Sequence, residues 1–239
     1  MSAVAIIFAG GVGSRLGDSE EPKQFREVAG RPIIGYTLDH FQRHPGIAAL
    51  YVACLPGWEP RLADIAREAG VSKLRRVVAG GATSQDSTRN ALLAASAEWE
   101  DHTLAVIHDG VRPIITADLI DRLLATAADL GNAVTVRPVA ETPLSSRDGL
   151  VADELRRRSS AYVAQAPQVF RLGEILAAHE RLRGADPSYT DVVDSATLMS
   201  RAGHAVNLVV GNHDNLKITH SSDVDFFRGW LLSRKLVER

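Results

Sequence analysis

The sequence predicts an α/β fold in which helices cover both faces of a doubly wound, mostly parallel sheet. Short runs rich in β-branched residues alternate with longer amphipathic segments along most of the chain. This alternation is typical of successive βαβ units. Several of the short runs are apolar throughout, as expected of strands that helices cover on both faces. A chain of 239 residues is long enough for one such domain with a large core.

The elements follow one another in a regular order. The predicted strands of the first part of the chain are AVAIIFA, ALYVACL, RRVVAG, TLAVIHD and NAVTVRPV. The segments between them with an apolar stripe at helical spacing are IIGYTLDHFQRH, PRLADIAREAG, STRNALLAASAEW and ADLIDRLLATAADLG. Both patterns return later in LGEILAAHERLRG, SATLMSRAG, AVNLVVG and SSDVDFFRGWLLSRKL. Neither a repeat nor a low-complexity linker divides the chain, so residues 1–239 are predicted to form a single domain.

Residues 140–168 interrupt this order. Their polarity alternates, they contain the turn-like triplet RDG, and they lack a long helical face. The segment is therefore predicted to leave the core as a protruding β-arm. Because a polar, turn-rich arm cannot bury itself, it is also a candidate dimerisation element.

The composition excludes several classes of protein. With a net charge of −2 and a pI near 6.4, the chain lacks the basic face that nucleic acids or membrane surfaces require. Cys54 is the single cysteine and lies in an apolar run, which suits a reducing cytoplasm. The first residues have too short an apolar run for a signal peptide or a membrane span. We therefore expect a soluble, cytoplasmic protein.

A glycine-rich turn, FAGGVGSRLG at residues 8–17, follows the first predicted strand. Glycines let a ligand approach the main chain closely, and consecutive N–H groups in such a turn can bind an anion. Gly11, Gly13 and Gly17 also fit a dinucleotide-binding turn, which is the simplest competing interpretation. That motif, however, leads directly into a helix.

The residues after the turn favour a triphosphate instead. Pro22 delays the next helix, and Lys23 adds a second cation to Arg15. An arginine can bind phosphate oxygens in a bidentate manner, and a lysine can act as a mobile point charge. An extended loop with both cations suits a nucleoside triphosphate better than a pyrophosphate that is esterified at both ends.

Seven short sequence motifs, spread along the chain, resemble those of one known family. These motifs are AGGVGSRLG, PKQF, GRPIIGYTLDHF, GGATSQDS, HDGVRP, QAPQVF and NLKIT. In order and approximate spacing they resemble the cytidylyltransferases that activate ribitol phosphate or methylerythritol phosphate with CTP. The resemblance spans nearly the whole chain. It implies a Rossmann-like nucleotidyltransferase fold and an enzyme that transfers a cytidylyl group from CTP to a sugar-alcohol phosphate, releasing pyrophosphate.

The resemblance leaves the acceptor open between two sugar-alcohol phosphates. The forms FAGG and NLKIT are more like the ribitol-phosphate enzymes, which favours D-ribitol 5-phosphate and the product CDP-ribitol. The alternative acceptor is 2-C-methyl-D-erythritol 4-phosphate of isoprenoid synthesis. A non-catalytic nucleotide-sensing homologue on the same fold is a third hypothesis, because a fold does not determine a function.

On the CTP side, the resemblance assigns three cations to the phosphates. Arg15 and Lys23 hold the triphosphate, and Lys217 of NLKIT reaches the α-phosphate. Two glycine-containing turns and one hydroxyl surround the nucleoside. These residues are Gly10, Gly11, Gly13, Gly80, Gly81 and Ser87. Mg²⁺, bound largely through the CTP phosphates, is the implied cofactor.

On the acceptor side, the resemblance places Asp109 and Arg112 of HDGVRP beside the sugar-alcohol phosphate. Their spacing also permits a simple local ion pair. Asp109 is in addition a possible metal ligand. In the family, a threonine and an arginine of the arm complete the acceptor site of the partner in a homodimer, and Thr142 and Arg158 match them.

Three departures from the family pattern fall mainly on the acceptor side. The chain has Ser84 where the family usually has arginine, and Ala166 where it has threonine. Thr190 and Asp191 match a threonine–aspartate pair that binds the acceptor phosphate. Because this segment is longer than usual, Asp194 is an alternative match.

Overall fold

A computed structural model describes residues 2–10 and 21–237 of the chain. The strands in these ranges are β1 (Ala3–Ala9), β2 (Glu27–Val28), β3 (Arg31–Pro32), β4 (Ile47–Cys54), β5 (Leu74–Ala79), β6 (Leu104–Asp109), β7 (Asn132–Pro138), β8 (Leu144–Ser145), β9 (Glu154–Leu155), β10 (Tyr162–Arg171) and β11 (Leu208–Val210). The helices are α1 (Ile33–Arg43), α2 (Glu59–Glu68), α3 (Ser84–Ser96), α4 (Ala117–Leu130), α5 (Leu172–Ala185), α6 (Ser195–Arg201) and α7 (Ser221–Val237). None of these helices has both the length and the apolar character that crossing a membrane requires.

The main sheet contains seven strands in the order β11-β7-β10-β6-β1-β4-β5. Strand β1 pairs in parallel with β4 and β6, β4 pairs in parallel with β5, and β7 pairs in parallel with β11. Strand β10 runs antiparallel between β6 and β7. The predicted α/β fold with a mostly parallel sheet is therefore confirmed.

Helices cover both faces of this sheet, and β1 shows how. Ile7 belongs to an apolar cluster with Leu38 of α1 and Leu123 of α4. The neighbouring Ile6 points to the opposite face, where it belongs to a cluster with Leu92 of α3. Both isoleucines are fully buried. Each contributes about 1.5–3 kcal/mol to folding, which explains why this strand is apolar at every position.

The arm is shorter than its predicted bounds of 140–168. Strands β8 and β9 pair antiparallel and form the projecting part. Residues from Tyr162 onward belong instead to β10 of the main sheet. The sequence pattern was misleading here because Gln165 and Gln168 are buried. Polar side chains that face an internal site look, in sequence, like those of an exposed arm.

The carboxyl ends of the parallel strands meet at one edge of the sheet. Gly10 follows β1, Gly80 follows β5, and Asp109 is the last residue of β6. In open α/β sheets this is the edge where ligands bind. The fold thus collects several of the predicted site residues in one region.

Candidate active site

Three charged side chains meet where β6 ends. Oδ2 of Asp109 accepts a hydrogen bond of 2.7 Å from Nε of Arg112, so the predicted local ion pair is present. Oδ1 of Asp109 lies 2.6 Å from Nζ of Lys217, in the segment before α7. Asp109 and Arg112 are buried, whereas the Lys217 side chain is 42% exposed. The fold therefore joins the HDGVRP and NLKIT motifs, which are far apart in the sequence.

The two cations keep Asp109 ionised. Burial alone would raise the pKa of this carboxyl, but the adjacent Arg112 and Lys217 lower it to about 2. Asp109 is consequently a carboxylate at neutral pH and has no proton to donate. Together, the three side chains carry one net positive charge. An anionic substrate group beside Lys217 would meet that charge.

A cavity of about 430 Å³ opens on one side of this cluster and is called the larger cavity below. Its walls come mainly from the segments that follow β1 and β5. The predicted site residues that line it are Gly10, Lys23, Gly81, Ser87, Asp109 and Lys217. All of these residues except Asp109, which is predicted on the acceptor side, are expected around CTP. Gly80 is also expected there but does not line the cavity. Gly11, Gly13 and Arg15 lie outside the described residues, and their roles stay predictions.

Close packing shapes the turn between β5 and α3. A Cβ atom on Gly80 would lie 3.0 Å from the main-chain oxygen of Cys54, and one on Gly81 would overlap the Asp86 side chain. Thr83 and Asp86 cap the first turn of α3 reciprocally. The hydroxyl of Ser87 donates to the oxygen of Thr83 and accepts from the N–H of Gly81, both at 3.0 Å. Ser87 therefore stabilises the turn, and its contact with ribose stays a prediction.

A second cavity of about 240 Å³, the smaller cavity, lies on the other side of Asp109 and Lys217. Phe8, Ser84, Asp109 and Lys217 line both cavities. The remaining polar residues that line the smaller cavity are Gln85, Thr88, Arg112, Gln165, Gln168, Asp194 and Ser195. A transferred group could thus pass between two ligands at the shared wall without leaving the protein.

The fold brings Asp194, the alternative match, to the smaller cavity. Its Oδ2 accepts a 3.0 Å hydrogen bond from Nε2 of Gln168, and its Oδ1 caps α6 through the N–H of Thr197. Thr190 and Asp191 are exposed and belong to the lining of neither cavity. Direct binding of the acceptor by these two residues would need a rearrangement of the 186–194 loop.

The arm does not reach the site of its own chain. Thr142 and Arg158 are exposed, and neither lines the larger or the smaller cavity. Nη1 of Arg158 donates a 3.2 Å hydrogen bond to the oxygen of Ala140 at the base of the arm. The arm also exposes large apolar side chains, namely Leu144, Leu150, Val151 and Leu155. Such a surface is typical of a segment that contacts another molecule.

A comparison with protein families agrees with this geometry. The family described as IspD, 2-C-methyl-D-erythritol 4-phosphate cytidylyltransferase, matches residues 3–230. The chain belongs to this family. The matched residues include the lining of both cavities and the whole arm.

Relatives with two different names resemble this member of the IspD family. A ribitol-5-phosphate cytidylyltransferase of Vibrio parahaemolyticus is 38% identical over 224 residues, which cover 94% of this chain and 92% of that protein. A 2-C-methyl-D-erythritol 4-phosphate cytidylyltransferase of Geobacter metallireducens is 36% identical over 225 residues, covering 94% and 95%.

Solved structures of the IspD family share the fold. The 4-diphosphocytidyl-2C-methyl-D-erythritol synthase of Anaerococcus prevotii superposes with a TM-score of 0.81 at 24% identity, covering 97% of this chain and 96% of that one. The 2-C-methyl-D-erythritol 4-phosphate cytidylyltransferase of Thermus thermophilus gives a TM-score of 0.75 at 28% identity, covering 96% and 98%. The predicted Rossmann-like nucleotidyltransferase fold is confirmed.

The residues of the site limit how it can hold Mg²⁺. Within residues 2–10 and 21–237, no three His, Cys, Asp or Glu side chains lie together as a metal site. Both carboxylate oxygens of Asp109 already contact cations. The site fits Mg²⁺ as an ion held mainly by nucleotide phosphates and water, with Asp109 as the candidate protein ligand.

Several residues of the smaller cavity have no assigned role in the sequence prediction. Gln165 and Gln168 belong to the quoted motif QAPQVF, but the motif alone does not show which of its side chains face a ligand. The signal that could have identified them is a pair of glutamines in the middle of a strand and within a family motif. Ser84 and Ala166, the departures from the family pattern, also line this cavity.

Proposed function

We propose that the chain transfers a cytidylyl group from CTP to a sugar-alcohol phosphate, with D-ribitol 5-phosphate as the acceptor and CDP-ribitol and pyrophosphate as products. The observation that carries this proposal is the Asp109–Lys217 pair in the wall that the two cavities share. Group transfer requires a donor and an acceptor on opposite sides of the reacting phosphorus. The larger cavity suits CTP, and the smaller one suits the acceptor.

The chemistry requires no general base. An oxygen of the acceptor phosphate attacks the α-phosphorus of CTP, and the bond from that phosphorus to the bridging oxygen of the β-phosphate breaks. Pyrophosphate leaves with the electron pair. A phosphate monoester loses its second proton near pH 6, so the nucleophile is already a dianion at neutral pH. Asp109, which is ionised and held by two cations, is then free of any proton-transfer role.

Catalysis by this chain consists of positioning and fixed positive charge. Lys217 lies at the shared wall, where its ammonium group would contact the α-phosphate as charge develops there. Arg112, held by Asp109, presents its guanidinium group to the smaller cavity. Lys23 lines the larger cavity, where the triphosphate would lie. Mg²⁺, when bound through the phosphates of CTP, would neutralise further negative charge.

The charge of the smaller cavity supports a homodimer. Its described ionisable lining consists of two anions, Asp109 and Asp194, and two cations, Arg112 and Lys217, so their charges cancel. A dianionic acceptor needs additional positive charge. The exposed Arg158 of the arm would supply this charge from a second copy of the chain, and Thr142 would add a hydroxyl group that can form a hydrogen bond. We therefore propose a C₂ dimer in which each arm covers the partner's acceptor site.

The proposal also chooses between two sugar-alcohol phosphates as the acceptor. The forms FAGG and NLKIT and the ribitol-5-phosphate cytidylyltransferase of V. parahaemolyticus support D-ribitol 5-phosphate. The second candidate is 2-C-methyl-D-erythritol 4-phosphate, which the description of the family and the G. metallireducens relative support. The buried, unpaired Cys54 makes the cytoplasm the proposed location.

One assay tests the function and the acceptor together. The protein is incubated with CTP, Mg²⁺ and each candidate acceptor, and the CDP-linked product and pyrophosphate are quantified. We expect CDP-ribitol as the main product. Product from methylerythritol phosphate alone would replace the acceptor, whereas CTP binding without product from either acceptor would favour the nucleotide-sensing hypothesis.

A further inference from the structure

Asn215 connects three segments of the chain behind the shared wall. Its side-chain Nδ2 donates a 2.7 Å hydrogen bond to the main-chain oxygen of Ala166 in β10. Its own main-chain oxygen accepts hydrogen bonds from Nη1 of Arg112 at 3.0 Å and from Nε2 of Gln165 at 3.3 Å. Asn215 is 1% exposed and lines neither cavity. It therefore contacts the residues of the site from behind.

These contacts determine the position of the main chain at Lys217. Asn215 is two residues before Lys217 and is tied to Arg112, while Ile218, directly after Lys217, donates its N–H to the oxygen of Val111 at 2.9 Å. Lys217 is thus held on both sides by the segment that follows Asp109. The main chain is fixed at both anchors, so Nζ of Lys217 can meet Asp109 although its side chain is partly exposed.

We propose that Asn215 is a positioning residue for the transfer reaction, a role that rests on the proposed function. Its side-chain amide holds its main-chain carbonyl at the point where that carbonyl orients the Arg112 guanidinium. The same bond holds the segment that carries Lys217. Asn215 acts only through these two cations, because it has no surface in either cavity.

The geometry separates this role from simple packing. If Asn215 only filled space, a side chain of equal shape would leave the hydrogen bond between the Arg112 guanidinium and the main-chain carbonyl of residue 215 unchanged. Asn215→Asp has nearly the same shape, but it places an oxygen instead of an N–H group opposite the oxygen of Ala166. The two acceptors repel each other, so this variant should displace the segment as much as Asn215→Ala does.

The experiment compares these variants with a matched control. Asn132 is also a buried asparagine, and its Nδ2 donates a 2.8 Å hydrogen bond to the oxygen of Ala205, far from both cavities. We expect Asn215→Ala and Asn215→Asp to lower kcat roughly tenfold, because small displacements of catalytic charge are costly. The KM for CTP should change less than about threefold, and Asn132→Ala should keep the wild-type kcat at a comparable loss of thermal stability.

A second measurement does not depend on turnover. The Nε–H of Arg112 is detected by NMR, and its exchange with solvent is followed without substrate. We expect this exchange to become roughly tenfold faster in Asn215→Ala, because the main-chain carbonyl that anchors the guanidinium is no longer held in place by the side-chain amide, and to stay unchanged in Asn132→Ala.

Two results would overturn the proposal. One is wild-type kcat in the folded Asn215 variants, and the other is unchanged exchange at Arg112. If the wild-type protein forms no product with any acceptor, the proposed function fails, and the exchange measurement still decides whether Asn215 holds Arg112.

Discussion

At the scale of single residues, the site depends on one carboxylate shared by two cations. Asp109 orients Arg112 with one oxygen and Lys217 with the other. Of these cations, Lys217 is the more exposed and is the one that lines both cavities. If the α-phosphate of CTP lies beside Lys217, as proposed, this lysine can follow the phosphate as its geometry changes, because its ammonium group is a compact charge on a flexible stem.

Lys217→Ala should therefore lower kcat by about 10²-fold or more, as does the loss of one preorganised donor in other enzymes. The measurement is steady-state pyrophosphate release at saturating CTP and acceptor. Lys73→Ala is the matched control, because Nζ of Lys73 is also hydrogen-bonded, to the oxygen of His44, but lines neither cavity. Near-wild-type activity in Lys217→Ala would remove this lysine from the mechanism.

At the scale of elements, the turn from β5 into α3 forms one wall of the larger cavity. Its shape rests on the reciprocal cap between Thr83 and Asp86 and on the bonds of the Ser87 hydroxyl. Gly81 packs directly against Asp86, so position 81 has no room for a side chain. If CTP binds in the larger cavity, as proposed, the main-chain atoms of Gly81 would face the nucleoside.

Gly81→Ala should raise the dissociation constant of CTP about tenfold, because a loss of roughly 1.4 kcal/mol follows from a modest distortion of the turn. Calorimetric titration with CTP measures this change. Gly184→Ala in α5 is the control, since no atom lies within 4 Å of its added Cβ, and a glycine replaced by alanine inside a helix is stabilising. Unchanged CTP binding by Gly81→Ala would place the nucleotide elsewhere.

At the scale of the whole molecule, two buried histidines make the free energy of unfolding depend on pH. Burial lowers the pKa of His108 and of His179 to about 4, whereas the pKa of an unfolded histidine is near 6.5. Between these values the unfolded chain binds more protons, so the free energy of unfolding falls as the pH falls. Each histidine contributes up to about 1.4 kcal/mol per pH unit to this decline.

We therefore expect the melting temperature to decrease steadily from pH 6.5 to pH 4. Asp109 adds to this decline only near the lower end of the window, where an unfolded aspartate begins to take up a proton near pH 4 while the folded one, with a pKa of about 2, stays ionised. His179→Gln should make the pH dependence of the unfolding free energy shallower by nearly one proton, even if the variant is less stable at neutral pH. Denaturant unfolding across this pH range measures the slope. An unchanged slope would mean that His179 is protonated equally in both states.

The arm gives a prediction about assembly. If Arg158 serves the partner's site, Arg158→Ala should raise the KM for the sugar-alcohol phosphate at least about tenfold and change the KM for CTP far less. Asp109→Ala should be inactive by itself. After subunit exchange, verified with tagged chains, a mixture of the two variants should regain activity, because each mixed dimer contains one site with both residues intact. Complete exchange without regained activity would show that both residues belong to one chain's site.

The sequence by itself determined the order of strands and helices along the chain. Apolar runs and apolar residues at helical spacing are local patterns, and burial imposes them on each segment separately. It also predicted which strands are followed by glycine-containing turns, since such turns are contiguous in sequence. The predicted elements are confirmed where they depend on near neighbours, as in the strand before Gly80 and the helix after Gly81, whereas the contacts of these residues with CTP stay predictions.

Only the tertiary structure decided which distant residues meet. The spatial arrangement of the strands in the sheet, and of the segments that connect them, brings Lys217 to Asp109 and Asp194 to the smaller cavity. No local sequence pattern specifies this spatial arrangement. The same holds for β10, whose polar residues look exposed in sequence because the cavity that they face is formed by other segments. Asp109 and Asp194 each contact a partner from far along the chain, Lys217 and Gln168 respectively, and only the tertiary fold sets those distances.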